Sequence, residues 1–374
     1  TTLAESAGGT HISLYMPTVR AGRETRQNPT RFKNLLKRAR EELTSGQVGP
    51  GELERLIDPV EHYGAQPEVW KRQQEGLAIF TSPQVFRVIQ VPFEVEEFVT
   101  AGPRFHLKPI LQLLLGDTDY YVLTLGLGGC RLYRGNRFSI ETVEVPGMPK
   151  GMEDVLQYDD IESPHKTGQR MPGRHGTQNT AIHAHATADE KLKRDMDRYL
   201  RRVERSVSEH LNGSHEPLVL AGTDYVLPIY RQHNRYAQLL DEDIAVNPNS
   251  LDPTSLRDAV WERVEPRYEE RRREAVDRYH SSKDHGRTAD GLEDLVPAAM
   301  SARIQTIFAR SDTHVWGTMA ADGSSAEIHT VKQPGDVDLV DAVVVESLRR
   351  GAEVYIDTEE VPAEENAAAA VLRY

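Results

Sequence analysis

In 374 residues there is one cysteine, Cys130, no apolar run long enough to span a bilayer, and no overall excess of basic residues. One thiol excludes an internal disulfide framework and any zinc site built from several cysteines. A membrane helix needs about 20 consecutive apolar residues, and none is present. No basic segment followed by an apolar stretch marks a secretory leader, so the expected location is cytoplasmic. With 45 Lys and Arg against 58 Asp and Glu, the formal charge is −13, which discourages indiscriminate binding to polyanions. No segment repeats another. Hydrophobic content of 38% and charged content of 28% describe a folded soluble protein, and the length exceeds what one core usually serves.

The basic residues that are present are concentrated. From Arg20 to Arg40, Arg20, Arg23, Arg26, Arg31, Lys33, Lys37, Arg38 and Arg40 face only Glu24, a local charge of +7. From His165 to Arg205, ten Lys and Arg face five Asp and Glu, a local charge of +5, so the rest of the chain carries −25. Two basic patches in an acidic body read either as an electrostatic footprint for a polyanion or as solvated helix faces with internal ion pairs. The second patch opens with a loop, His165 to Ala186, that has almost no aliphatic anchor and contains Arg174-His175-Gly176-Thr177-Gln178. A long helix is expected next. Thr187 and Glu190 have capping-box spacing, and Leu192, Met196, Tyr199, Leu200, Val203, Val207 and Leu211 recur at steps of three and four as one buried stripe. Lys191, Lys193, Arg194, Arg198, Arg201, Arg202 and Arg205 fall on its other faces.

Three composition units follow one another: an N-terminal α/β domain (1–112), a central mixed-sheet domain (113–246) and a C-terminal α/β domain (247–374). The first carries a strand at Ile12 to Met16, a helix from Pro29 to Leu43 burying Phe32, Leu35, Leu36, Ala39 and Leu43, and strands at Gly76 to Phe80 and Val85 to Pro92. The second carries strands at Tyr120 to Leu125, Cys130 to Arg134, Phe138 to Val145 and Pro217 to Gly222, with Gly126 to Gly129 as a hairpin turn. The third carries a charged helix from Thr254 to Tyr279 and a polar loop from His280 to Gly291. Strands follow at Ile304 to Ala309, His314 to Met319 and Ala326 to Val331, then a helix at Val337 to Arg349, a strand at Glu353 to Ile356 and a closing segment at Ala370 to Tyr374.

The run Gly173-Arg174-His175-Gly176-Thr177-Gln178-Asn179-Thr180-Ala181, followed by a basic helix ending in Tyr199-Leu200-Arg201-Arg202-Val203, resembles the Gly-Gly-Gln loop and following helix of archaeal and eukaryotic class I release factors. With the order of parts, the chain looks like a bacterial or archaeal member of that superfamily, related to pelota and to ribosome-quality-control peptidyl-tRNA hydrolases. The resemblance implies a degenerate N-terminal domain, a central ribonuclease-H-like domain and a C-terminal α/β/α domain resembling kink-turn-binding ribosomal proteins. It implies ribosome and tRNA as partners, no cofactor and no metal, and leaves room for a protein partner through the acidic C-terminal domain.

Carried onto this chain, the resemblance implies that Gln178 places water or stabilises the oxyanion in ester hydrolysis, that Gly176 gives backbone freedom, and that Thr177 stands where release factors have a second glycine. Arg174, His175 and the helix cations would hold phosphates, with Arg26, Lys33 and Lys37 as a second contact. A small hydroxyl residue in place of that glycine also occurs in the quality-control hydrolases. The stop-codon signature Asn-Ile-Lys-Ser is absent, so rescue or surveillance is expected rather than codon-directed termination. A non-catalytic RNA- or ribosome-binding module is the alternative. Thr167-Gly168-Gln169 is a second Gly-Gln, set aside because Gln178 lies at the family's distance from the helix. His175, His183 and His185 have chelating spacing but no evident carboxylate or thiolate companion, and Asp117, Asp119, Asp159 and Asp160 read as turn residues and not as a two-metal nuclease.

Overall fold

Alternation along the apolar run His11–Pro17 makes it a strand with two buried faces, β1, and the N-terminal sheet is built around it. The computed structural model describes residues 3–6, 8–20, 23–71, 73–115, 118–155, 180–247, 252–320, 322–357, 361–363 and 365–374. With β2 (Gly76–Thr81), β3 (Phe86–Val91) and β4 (Phe98–Gly102), the strand order is β3-β2-β1-β4, all antiparallel. Ile12, Leu14 and Met16 of β1 pack with Leu77 and Ile79 beneath α1 (Asn28–Ser45) and α2 (Pro50–Gly64). Tyr15, Ala78 and Phe80 point the other way, into a second core. The expected face of α1 is the observed one: Phe32, Leu35, Leu36, Ala39 and Leu43 are buried. α2 is not among the expected elements; although prolines break helix interiors, Pro50 opens this helix, where its missing N–H would be unsatisfied anyway. A Cβ at Gly64 would lie 2.0 Å from Phe32 Cε1, so the bare glycine lets α2 close on α1. The single turn α3 (Leu111–Leu114) ends this segment.

Residues 117–268 form one compact unit of their own. It holds β5 (Tyr120–Gly126), β6 (Gly129–Gly135), β7 (Ile140–Val143), α4 (Thr180–His210), β8 (Leu218–Gly222), α5 (Leu227–His233), β9 (Ile244–Ala245) and the first half of α6 (Pro253–Lys283). The order is β7-β6-β5-β8-β9, with β5, β6 and β7 antiparallel and β5, β8 and β9 parallel. That is the ribonuclease-H-like arrangement: third, second, first, fourth, fifth, with the second strand reversed. Leu123, Leu125, Leu218 and Leu220 face α4 and α5, while Tyr120, Val122, Val219 and Ala221 face Leu256, Val260 and Val264 of α6. Gly126 pairs with Gly129 across a two-residue turn, so the glycine run is the expected hairpin.

The other unit joins residues 1–116 to 269–374. Its C-terminal part contains β10 (Thr288–Ala289), α7 (Leu292–Met300), β11 (Ile304–Arg310), β12 (Trp316–Met319), β13 (Ala326–His329), β14 (Val337–Asp338), α8 (Leu339–Arg349), β15 (Glu353–Asp357) and β16 (Ala368–Leu372). A sheet of order β10-β16-β11-β15 and a small sheet β13-β12-β14 result. Alternate residues of β11 and β16 again divide two cores: Ile307, Ala309, Ala368 and Ala370 face α7 and α8, whereas Phe308, Ala369 and Val371 face Ala275 and Tyr279 of α6. Helices on both faces give the α/β/α layering. The segment expected as a polar loop, His280 to Gly291, is corrected: α6 runs to Lys283 and Thr288 pairs with Val371, a short edge pairing that uses backbone groups and needs no apolar pattern. Among the described residues no helix is long and apolar enough to cross a membrane.

A Cβ added at Gly222 would meet the backbone oxygen of Leu125 at 2.6 Å and Leu227 Cδ2 at 3.1 Å, and a central strand cannot retreat. Gly222→Ala is expected to lower stability by about 1–3 kcal/mol in urea unfolding. Gly128→Ala, which has nothing within 4 Å, is expected to stay within about 0.5 kcal/mol.

Candidate functional site

The basic helix α4 is set on its sheet by one apolar stripe and one ion pair made by a buried glutamate. Met196, Tyr199, Leu200, Val203, Val207 and Leu211 are buried against Leu123, Leu125, Leu132 and Leu220. Glu204 lies on the same stripe, only 2% exposed. Its carboxylate accepts from the Arg235 guanidinium at 2.9 and 3.2 Å, from the Arg235 backbone N–H at 3.0 Å and from Ser208 Oγ at 2.6 Å, which satisfies the charge where water is excluded. Asp197 pairs with His233 Nε2 at 2.7 Å and with Arg201 Nε at 3.0 Å. Two of these ties run from α4 to α5 and the loop after it.

The orientation of α4 follows from connectivity. β5 and β8 are parallel, α4 leads into β8 through a short connection, and Tyr199 Oη donates to the carbonyl of Gly126 at the end of β5, 3.1 Å away. Residues before Tyr199 therefore extend past the carboxyl ends of the parallel strands. α4 begins at Thr180, so roughly 24 Å of helix precedes Met196 at 1.5 Å per residue. Two expectations are corrected by this overhang. The helix was expected to start near Thr187 and starts at Thr180; the alanines at 181, 184 and 186 favour helix there. Leu192 was expected in the buried stripe but is 45% exposed, because the sheet has ended beneath it.

Lys191, Lys193, Arg194, Arg198, Arg201, Arg202 and Arg205 are all exposed. Arg201 and Arg205 pair within the helix, to Asp197 and Glu209, the latter at 2.9 Å. Lys191, Lys193 and Arg194 have no ion-pair partner among the described residues, and Arg194 donates only to the carbonyl of Glu190. The first basic patch differs. Arg31 and Arg38 reach Glu97 at 3.9 and 2.9 Å, Arg40 reaches Glu61 at 2.7 Å, and Lys37 reaches Glu41 at 3.7 Å. Arg26 and Lys33 are exposed.

Gly176, Thr177, Gln178, Arg174 and His175 lie outside the described residues, as do Thr167-Gly168-Gln169, Asp117, Asp159, Asp160 and the side chains of His183 and His185. Asp119, the described member of the acidic set, pairs with Arg134 at 2.6 Å, while partial burial still raises its pKa above the ordinary value. Cys130 is buried; desolvation pushes its thiol up to about 11, which makes it inert as a nucleophile at neutral pH. Sequence reasoning missed the Glu204–Arg235 tie. Its signal was present, since an acidic residue at the stripe position between Leu200 and Val207 must find a partner.

Glu204→Ala would strip the stripe of its ion pair and leave the Arg235 N–H and Ser208 unpartnered, so a loss of about 2 kcal/mol is expected in urea unfolding. Glu209→Ala, on an exposed pair, is expected to change stability by under about 1 kcal/mol.

Residues 119–303 match the model for the bacterial archaeo-eukaryotic release factor family 3. No curated protein matches. Among solved structures, an archaeal translation termination factor, aRF1, aligns over 100% of this chain and 95% of its own at 12% identity and a TM-score of 0.24. Pelota of Archaeoglobus fulgidus aligns over 80% of this chain and 79% of its own at 14% identity and a TM-score of 0.27. Dom34 of S. cerevisiae, a translation termination-like factor of RNA quality control pathways, aligns over 80% of this chain and 73% of its own at 12% identity and a TM-score of 0.37. The matched stretch, just under half of the chain, holds the sheet and the basic helix described above, and over it the chain is similar to that bacterial release factor family.

Proposed function

We propose that this protein acts in translation, in the cytoplasm, as a ribosome-associated rescue or surveillance factor that hydrolyses the ester of peptidyl-tRNA. The observation that carries the reading is α4: its N-terminal half overhangs the carboxyl ends of parallel strands, where α/β sheets place their ligands, and carries Lys191, Lys193 and Arg194, which have no ion-pair partner among the described residues. Gly176-Thr177-Gln178 immediately precedes that half in sequence. In the proposed reaction a water oxygen bonds the ester carbonyl carbon, the bond from that carbon to the ribose oxygen breaks, and a proton goes to the departing hydroxyl. Gln178 positions the water or donates to the oxyanion, and Arg174, Lys191, Lys193 and Arg194 hold phosphates of the RNA.

Relatives bring partners by analogy only. One solved assembly is of ribosome-bound archaeal Pelota with ABCE1, and Dom34 interacts with Hbs1, so a protein partner through the C-terminal α/β/α layers belongs to this reading. A second reading, a binding module without hydrolysis, rests on Thr177, whose Cβ restricts the backbone where release factors have glycine.

Release of labelled peptide from peptidyl-tRNA on stalled ribosomes and free large subunits decides between them. The wild type is expected to release peptide and Gln178→Ala to bind equally but release at least about 100-fold more slowly, the loss typical of one oxyanion donor. Binding without release by either protein would establish the non-catalytic module. For binding itself, Lys191→Ala/Lys193→Ala/Arg194→Ala is expected to weaken RNA affinity and flatten the slope of log K against log salt by about 2–3, measured by fluorescence anisotropy.

A further inference from the structure

A buried polar cluster in the unit formed by residues 1–116 and 269–374 takes no part in the proposed reaction. His106 and Lys108 enter it from the loop after β4, Thr313 and His314 from the approach to β12, and Asp338 and Asp341 from the start of α8. Asp338 Oδ1 caps α8, accepting from the N–H of Val340 at 3.1 Å and of Val315 at 3.2 Å. Its Oδ2 accepts from His314 Nδ1 at 2.8 Å and lies 3.1 Å from Lys108 Nζ and 3.8 Å from His106 Nδ1. Asp341 Oδ1 accepts from the N–H groups of Leu107 and Lys108 at 2.6 Å and lies 3.6 Å from His106 Nδ1. Lys108 also donates to the carbonyl of Thr313. The one atom left over is His106 Nε2: the residue is 4% exposed and this nitrogen has no hydrogen-bond partner.

We propose that His106, His314 and Asp338 bind one first-row transition-metal dication, with zinc the foremost candidate. Each offers a donor atom, and the three donor atoms lie within 4.8 Å of one another. Tetrahedral zinc with bonds of about 2.0–2.2 Å needs donors about 3.3 Å apart, so side-chain shifts of about an ångström complete the set. Two imidazoles and one carboxylate suit zinc, and the buried His106 ring makes no hydrogen bond that a metal would have to displace. Asp341 Oδ1 lies 3.6 Å from His106 Nδ1, the same nitrogen that Asp338 Oδ2 approaches at 3.8 Å, and adds negative charge beside the site. His314, with 26% of its side chain exposed, opens the site to solvent and leaves a coordination position for water. Lys108 opposes the metal, since its ammonium shares Asp338 Oδ2 and repels a dication. Bound metal would tie the loop after β4 to the α8 N-cap within one unit.

The test uses the full chain, stripped with EDTA, dialysed, and titrated with zinc by calorimetry and with cobalt by visible absorption. The expected result is one equivalent bound, intense cobalt bands of low coordination number, and a raised thermal midpoint. His314→Ala is expected to weaken zinc by at least about tenfold with unchanged circular dichroism, and His106→Ala likewise where it folds. Lys108→Met is expected to bind zinc more tightly, a gain that no purely structural role of the cluster produces. Failure to bind an equivalent at about ten micromolar protein, a concentration well above the affinity of a built zinc site, would overturn the proposal. So would full affinity in His314→Ala, or loss of affinity in a His183→Ala/His185→Ala variant instead.

Discussion

The constraint on which the larger unit depends is that α8 is buried on every side. Leu339 to Ser347 are buried without interruption. A helix with one apolar face can lie on a sheet, but a helix buried all round needs two layers to cover it. One layer is the back of the N-terminal sheet, through Tyr15, Ala78 and Phe80; the other is the C-terminal sheet, through Ile307, Ala309, Ala368 and Ala370. The two ends of the chain therefore share one core. Burial all round also commits the acidic residues of α8 to protein partners. Asp341 finds the backbone of Leu107 and Lys108, Glu346 finds Arg349 and Arg350 at 2.8 and 2.7 Å, and Asp338 caps the helix while gathering Lys108 and His314. The polar cluster is a consequence of placing α8 between two sheets.

The unit of residues 117–268 solves a lighter version of the same problem. α4 needs only one stripe because it lies on one face of its sheet, and it needs that stripe only as far as the sheet extends. Past Gly126 nothing in the sheet asks it to be apolar, and the exposed residues there are Lys191, Lys193 and Arg194 with a stray Leu192. Freedom from packing is what lets this stretch carry charge.

Elements with a continuous apolar run or one regular apolar face were legible in the sequence: β1, β5 and β8 as runs buried on both faces, α1 and the stripe from Met196 to Leu211 by their helical period. What failed depended on where another element ends. The position of Leu192 on the stripe is right, but its burial was set by the length of β5. α2 was hidden by prolines whose meaning changes with position in a helix, and the half-strand β10 was hidden because pairing with β16 asks nothing of its side chains. The buried cluster was illegible for a different reason. Sequence spacing drew attention to His183 and His185, two residues apart, whereas His106 and His314 meet only because the two ends of the chain fold into one core around α8.

The two basic patches show what geometry adds to composition. In sequence they were alike, each open to the same two readings, and local counting slightly favoured the first, at +7 against +5. In the structure three cations of the first are answered from a distance: Glu97 takes Arg31 and Arg38, and Glu61 takes Arg40. Those carboxylates lie in other elements, so no local count could include them. In the second patch Arg201 and Arg205 are answered within their own helix, where pairs four residues apart are weak and screened, and Lys191, Lys193 and Arg194 have no ion-pair partner among the described residues. Charge that the fold has not already neutralised is charge available to a partner. By that measure the cations nearest the Gly176-Thr177-Gln178 sequence are open to a partner, whereas Arg31, Arg38 and Arg40 are already engaged.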